Sequence, residues 1–126
     1  MQGQTIGYIA LEENVKRISL GLMSIELNKP IHLQSNDVPM EELRHAFINT
    51  VGSGRVYMYD HWGSTDSENL LSKIRYLVRG CQVDYVIHDH ISIVVSGLEG
   101  GDERRIIDNT MTKLRALVEE LNCGLI

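Results

Sequence analysis

Apolar and polar positions alternate along this chain in blocks, and each block has the spacing of either a strand or a helix. Short apolar runs predict strands over residues 5–10 (TIGYIA), 55–59 (RVYMY) and 83–87 (VDYVI), with the start of another at 123–126. Between them, apolar residues at helical spacing predict helices over residues 14–27, 39–51, 66–79 and 102–121. The chain is therefore expected to alternate strand and helix throughout.

The predicted helices carry apolar stripes and end signals. In the first helix the stripe consists of Val15, Ile18, Leu22 and Ile25. In the last it consists of Ile107, Met111, Leu114, Val118 and Leu121. Thr65 and Glu68 have the spacing of a capping box at the start of the third helix, and Gly80 ends that helix.

The alternation of strands and helices predicts the α/β class, with a parallel sheet flanked by helices. A length of 126 residues suits one domain with one core. Residues 1–126 are therefore expected to form a single domain, with no linker and no internal repeat.

Composition and charge narrow the classes of function. The net charge of -5 argues against a general nucleic-acid-binding surface, although a local basic loop can still contact phosphate. Two cysteines are too few for a disulfide framework, so reduced thiols in the cytoplasm are expected. No stretch approaches the roughly 18 apolar residues that a membrane span needs, so no membrane association is expected.

Two acidic residues follow predicted strands and are candidates for a catalytic site. Ligands of open α/β sheets bind beyond the carboxyl ends of the strands, where Asp89 is expected. In P-loop ATPases a carboxylate there helps to hold Mg²⁺ on the nucleotide phosphates, whereas the alternative is that Asp89 only caps a turn. Glu12 would lie on the same edge and serve as a general base, unless it and Glu13 only favour the dipole of the next helix.

Two other clusters have both a functional and a structural interpretation. His88 and His90 flank Asp89, which makes them either transition-metal ligands or histidines packed and hydrogen-bonded at a strand end. Further on, the glycine-rich loop 96–101 precedes Arg104 and Arg105. These arginines either reach phosphates or belong to a solvated helix start neutralised by neighbouring acids.

Residues 83–126 resemble the magnesium-site strand, loop and following helix of bacteriophage primase-helicases of the DnaB-like family, which includes the mitochondrial Twinkle helicase. The segments DHISIVVS and DERRIIDNTMTKL carry the resemblance most strongly. Upstream, YIALEENVKRISLGLMSIELNKPI is similar to the family's second conserved motif, a strand that ends in a glutamate and is followed by a helix. The resemblance covers nearly the whole chain and implies a partial RecA-like P-loop ATPase core.

The resemblance also implies roles for individual residues. It makes Asp89 the Walker B-type aspartate that organises Mg²⁺ through water, Glu12 the catalytic glutamate, and His90 a residue adjoining the metal site. It implies Mg²⁺ and ATP as cofactors of the complete protein, a hexameric ring, and a bacterial or phage-infected host cytoplasm. The loop that faces single-stranded DNA in the ring corresponds to Ser96, Gly97, Gly100 and Gly101, with Arg104 and Arg105 after it.

The sequence departs from the family pattern at several points. His88 replaces the usual aliphatic residue, and an imidazole there is expected to be hydrogen-bonded or hydrated. No G-x-x-x-x-G-K-[ST] phosphate loop occurs in the chain, and the family's nucleotide-sensing strand and arginine finger are missing. A partial domain is therefore expected, without tight ATP binding or ATPase activity of its own.

Two other classes stay open at this point. A RecA-like recombinase or a clock-type ATPase also uses a strand that ends in aspartate. A non-enzymatic α/β interaction module would explain the missing phosphate loop.

Overall fold

The computed structural model describes residues 3–33, 37–60, 66–91 and 103–126, and these build a parallel four-stranded sheet. Its strands are β1 (Ile6–Ala10), β2 (Val56–Asp60), β3 (Tyr85–Asp89) and β4 (Gly124–Leu125), and their order across the sheet is β2-β1-β3-β4. Every neighbouring pair is parallel. The predicted α/β class is confirmed, and β1 and β3 are the two central strands.

Within the described residues, four α-helices connect or follow the strands. They are α1 (Val15–Leu27), α2 (Met40–Asn49), α3 (Ser67–Arg75) and α4 (Glu103–Leu121), and α3 continues as a π-helical turn over Tyr76–Gly80. The Asn14 side chain caps α1 by accepting a 2.8 Å hydrogen bond from the Arg17 amide. Asp66 caps α3 in the same way through the Asn69 amide, whereas the predicted cap, Thr65, lies outside the described residues.

One face of the sheet packs against α3, the π-helical turn and α4. Ile9 of β1 and Val86 of β3 lie on this face and are almost completely buried. At Gly7 the sheet and the turn come very close, since an added Cβ would lie 3.0 Å from the Leu77 Cδ1 atom. The main core lies between these layers and contains Leu70, Leu71, Ile74, Leu77, Leu114 and Leu117.

The opposite face carries α1, but α1 covers only part of it. Ser19 of α1 contacts the Met58 sulfur of β2 at 3.8 Å, and a small second core joins Met23, Ile31 and Ala46. Beside α1 lies an open groove of about 730 Å³, lined by Tyr8 and by apolar residues of the helix. The predicted stripe of α1 is therefore partly wrong as a core: Ile25 borders the groove and is 79% exposed.

The buried face of α4 also differs from the predicted stripe. Thr110, Leu114 and Leu117 are buried, whereas Met111 is 52% exposed. The predicted stripe includes Met111 and Val118, whereas the residues buried at those levels of the helix are the preceding ones, Thr110 and Leu117. Leu114 belongs to both sets, and Leu121 packs against the main core, so the helix itself was predicted correctly.

Candidate active site at the carboxyl edge of the sheet

The candidate site lies where the two central strands end side by side, an edge called here the carboxyl edge. Ala10 of β1 pairs with Asp89 of β3 in the sheet register. Just beyond, the Leu11 amide donates a 2.9 Å hydrogen bond to the Asp89 carbonyl. This pairing holds the segment after β1 beside the end of β3, so Glu12 and Asp89 share one edge as the sequence predicted.

Glu12 makes a direct contact with His90. The His90 Nε2 atom lies 2.7 Å from Glu12 Oε1, a short distance typical of a charge-assisted hydrogen bond. Both side chains are about half exposed, at 52% for Glu12 and 43% for His90, so solvent or a ligand can reach the pair. Two residues that are 78 positions apart in sequence are thus brought together. Their catalytic roles stay predictions.

The neighbouring glutamate has a different partner. Glu13 accepts from the Arg17 side chain at 3.2 Å, one helical turn further along. It also borders the groove beside α1 rather than contacting His90. Of the two adjacent carboxylates, Glu12 is the one that contacts His90 in the described part of the chain, and the choice between them as the catalytic residue stays a prediction.

Asp89 accepts a hydrogen bond from Tyr8, a residue that sequence reasoning did not select. The Tyr8 hydroxyl lies 3.2 Å from Asp89 Oδ2. Tyr8 pairs with Ile87, so it lies on the same face of the sheet as Asp89 and one diagonal step away. Burial raises the pKa of the Tyr8 hydroxyl, as do the charge of Asp89, the hydrogen bond to it and the charge of Glu13. The hydroxyl therefore stays protonated and donates.

His88 lies on the opposite face of the sheet, in register with Ile9. Its Nε2 atom is buried and has no hydrogen-bond partner in the described part of the chain. The hydrogen bond expected for this imidazole is therefore not formed by Nε2 within the described residues. Burial lowers the pKa of His88, the charge of Asp89 opposes that shift, and His90 adds to it.

The described residues fit Mg²⁺ only as part of a larger ligand set. Over the ranges that the structure describes, no group of three His, Cys, Asp or Glu side chains comes together as a metal site. The histidines that flank Asp89 therefore have no third ligand in those ranges. A single aspartate at a strand end does suit Mg²⁺, which keeps several waters and is usually held by one or two carboxylates and substrate phosphates.

Two more aspartates have structural contacts at the two edges of the sheet. Asp60 ends β2 at the carboxyl edge, and its Oδ2 atom accepts from the Val15 amide at 3.1 Å, which fixes the start of α1. Asp84 precedes β3 at the other edge, and its Oδ2 atom accepts from the Thr5 amide at 2.7 Å. Asp84 thus joins the two central strands where they begin.

The candidate DNA contacts are only partly described. Arg104 and Arg105 are exposed in the first turn of α4. The loop residues Ser96, Gly97, Gly100 and Gly101 lie outside the described residues. Contact with DNA stays a prediction for all six.

Relatives of the chain are found by sequence and by fold. No protein-family model matches it. Over 130 aligned residues it is 30% identical to the DNA helicase/primase of Enterobacteria phage T3, and the match covers 98% of the chain. The chain spans only 23% of that relative's length.

A solved structure with a similar fold is that of a KaiC-like protein from the archaeon Pyrococcus horikoshii. The two superpose with a TM-score of 0.65 and 18% sequence identity, over 98% of this chain and 48% of the archaeal one. At that identity the likeness concerns the fold alone, which is RecA-like. In the described part of the chain, no helix has the length and apolar character needed to cross a membrane. The sequence match to a DNA helicase/primase and the RecA-like fold together support a partial domain of the DnaB-like primase-helicase type.

Proposed function

We propose that residues 1–126 are part of the ATPase core of a replicative DNA helicase that couples ATP hydrolysis to translocation on single-stranded DNA. The working protein is a hexameric ring that uses Mg²⁺ and ATP. Residues 1–126 alone neither bind ATP tightly nor hydrolyse it, because the sequence has no G-x-x-x-x-G-K-[ST] loop. That loop supplies the backbone, the lysine and the hydroxyl that hold phosphates and Mg²⁺ in P-loop ATPases.

The observation that carries the proposal is the meeting of Glu12, Asp89 and His90 at the ends of two adjacent parallel strands. The β1–β3 register aligns the strand ends, and the 2.7 Å contact joins Glu12 to His90. In open α/β sheets this edge is where ligands bind. The 30% identity to the phage T3 helicase/primase extends over 98% of this chain, which supports the helicase class over other ATPases of this fold.

Each carboxylate has a distinct task in the proposed reaction. Mg²⁺, when bound with ATP, neutralises charge on the phosphate oxygens. Asp89 would help to hold Mg²⁺ through a water molecule. Glu12 orients the attacking water and takes its proton. His90 holds one oxygen of Glu12, which leaves the second oxygen for the water.

The proposed DNA contact lies near the same edge, because α4 begins after β3 ends and runs back along the sheet. Arg104 and Arg105 are exposed at its start, and their guanidinium groups suit phosphate oxygens. Together with the loop residues before them, they provide a local basic contact in a chain whose net charge is -5. Such a contact binds the DNA backbone without reading its sequence.

The test uses a helicase chain in which residues 1–126 replace the matching segment of the phage T3 helicase/primase. We expect this chimera to hydrolyse ATP in the presence of single-stranded DNA. The substitution Glu12→Gln is expected to leave nucleotide binding intact and to lower the hydrolysis rate by roughly 10²–10⁴-fold, the usual contribution of a general base. Fluorescent-nucleotide titration and phosphate release measure the two quantities separately.

The adjacent glutamate provides a matched control. Glu13→Gln makes the same chemical change one position along but affects the pair with Arg17, so the hydrolysis rate should stay close to that of the unsubstituted chimera. Equal rates for Glu12→Gln and the unsubstituted chimera would exclude Glu12 as the base. A chimera that assembles but hydrolyses no ATP would contradict the helicase assignment. ATP turnover by residues 1–126 alone that Asp89→Asn abolishes would contradict the expectation that this chain is inactive by itself.

A further inference from the structure

The proposed function gives roles to Glu12, Asp89 and His90 but none to Tyr8, which donates a hydrogen bond to Asp89. Tyr8 comes from the middle of β1, whereas Asp89 ends β3, and the two residues are 81 positions apart. The hydroxyl reaches the carboxylate because Tyr8 and Asp89 lie on the same face of the sheet. A phenylalanine would fill the same position on this strand without reaching for a partner.

We propose that Tyr8 is a positioning residue for Asp89, which it orients toward the metal. This inference rests on the proposed function, since it assumes that Asp89 organises Mg²⁺. The Tyr8 hydroxyl donates a hydrogen bond to Asp89 Oδ2 at 3.2 Å, which restricts the rotation of the carboxylate and leaves Oδ1 as the oxygen that would hold Mg²⁺ through a water. Mg²⁺ demands near-ideal octahedral geometry, so the direction of that oxygen matters as much as its charge.

The surroundings of Tyr8 support a persistent hydrogen bond. Tyr8 is partly buried and lines the groove beside α1, and its hydroxyl reaches the Asp89 carboxylate at the carboxyl edge. In the described part of the chain, Asp89 is the acceptor that this hydroxyl meets. Removal of a polar group that orients a metal ligand typically weakens metal affinity by 10–100-fold.

The experiment compares Tyr8→Phe with the unsubstituted helicase chimera described above. Phenylalanine keeps the ring and removes only the hydroxyl. We expect the Mg²⁺ concentration that gives half-maximal ATP hydrolysis to rise roughly ten-fold at a fixed ATP concentration, while the rate at saturating Mg²⁺ stays within about two-fold. A loss of packing would instead lower the rate at every Mg²⁺ concentration, together with the thermal midpoint.

Tyr85→Phe is the matched control. Tyr85 lies on the same face of the sheet at the start of β3, and its side chain is partly exposed. Its Mg²⁺ dependence should equal that of the unsubstituted chimera. An unchanged Mg²⁺ dependence in Tyr8→Phe, or a uniform rate loss with a lower thermal midpoint, would overturn the positioning role.

Asp89→Asn separates this inference from the proposed function. If Asp89→Asn abolishes hydrolysis while Tyr8→Phe behaves like the unsubstituted chimera, only the role of Tyr8 is refuted. If Asp89→Asn hydrolyses ATP normally with an unchanged Mg²⁺ dependence, Asp89 does not organise the metal, and the proposed function fails with it.

Discussion

Replacing His88 with leucine is expected to stabilise the fold. The His88 Nε2 atom is buried without a partner in the described part of the chain, and such a group costs about 1–3 kcal/mol of desolvation. Leucine removes that cost, while a side-chain swap of similar volume typically costs less than about 1.5 kcal/mol. The net gain near neutral pH is therefore about 1 kcal/mol, or a rise in Tm of roughly 4 °C for a chain of this length.

The gain from His88→Leu should grow as the pH falls. Because burial lowers the pKa of His88 in the folded chain, the unfolded chain takes up a proton first, near the ordinary pKa of 6.5. The histidine is neutral in both states above that pH, so its protonation costs no stability there. Stability of the unsubstituted chain then falls as the pH drops from 6.5 toward the lower folded-state pKa, and the leucine variant lacks this loss.

Urea unfolding of the 126-residue chain, at about pH 8 and about pH 5.5, measures both effects. His45 is exposed on α2, so His45→Leu is a control that makes the same substitution at a histidine that is not buried. Because its side chain is exposed, this substitution should not give the gain in stability expected for His88→Leu. The reasoning is refuted if His88→Leu is less stable at both pH values, or if it retains the full pH dependence of the unsubstituted chain.

Two further predictions concern the core and the site. Ile74 is 0% exposed at the centre of the main core, so Ile74→Ala should lower the free energy of unfolding by about 2–5 kcal/mol. Met111 is half-exposed, so Met111→Ala should change that free energy by less than about 1 kcal/mol. Urea unfolding measures both values, and equal losses would contradict the assigned core. In the helicase chimera, His90→Ala should slow ATP hydrolysis roughly ten- to hundred-fold, because Glu12 loses the hydrogen bond that orients it, and His90→Gln should restore part of the rate. A rate for His90→Ala equal to that of the unsubstituted chimera would show that the 2.7 Å contact does not matter for catalysis.

Local patterns were sufficient to predict the strands and helices. Short β-branched runs and amphipathic stripes separated by Asn, Pro and Gly signals mark nearly every element within one or two residues of its observed bounds. The third strand is the clearest shift: predicted over residues 83–87, it is observed at Tyr85–Asp89. Asp84 explains the difference, because its backbone and side chain bond to Thr5 before the ladder begins.

The buried side of each helix was harder to predict than the helix itself. On α1, Ile18, Leu22 and Ile25 form an apolar stripe, yet they border an open groove, and Met23 lies in the core instead. A stripe on a helix shows that some apolar face exists, but which residues are covered depends on where the neighbouring layer lies. The position of that layer is part of the tertiary structure, and the spacing of apolar residues along one helix does not determine it.

The site was predictable to the extent that strand direction determines it. Parallel strands end at one edge, so Asp89 and the segment after β1 were expected to meet. The contact of Glu12 with His90 and that of Tyr8 with Asp89 depend on the adjacency and register of β1 and β3. Tyr8 had one visible signal, a polar-tipped aromatic in an otherwise aliphatic strand, but nothing in the sequence identified its acceptor.

The central claim is that the carboxyl edge holds one half of an ATPase site. A crystal structure of the helicase chimera with Mg²⁺ and a non-hydrolysable ATP analogue tests it most directly. We expect Asp89 to accept a hydrogen bond from a water bound to Mg²⁺, and Glu12 to lie beside the water nearest the terminal phosphate. An analogue bound elsewhere, with neither carboxylate reaching the metal or that water, would contradict the account.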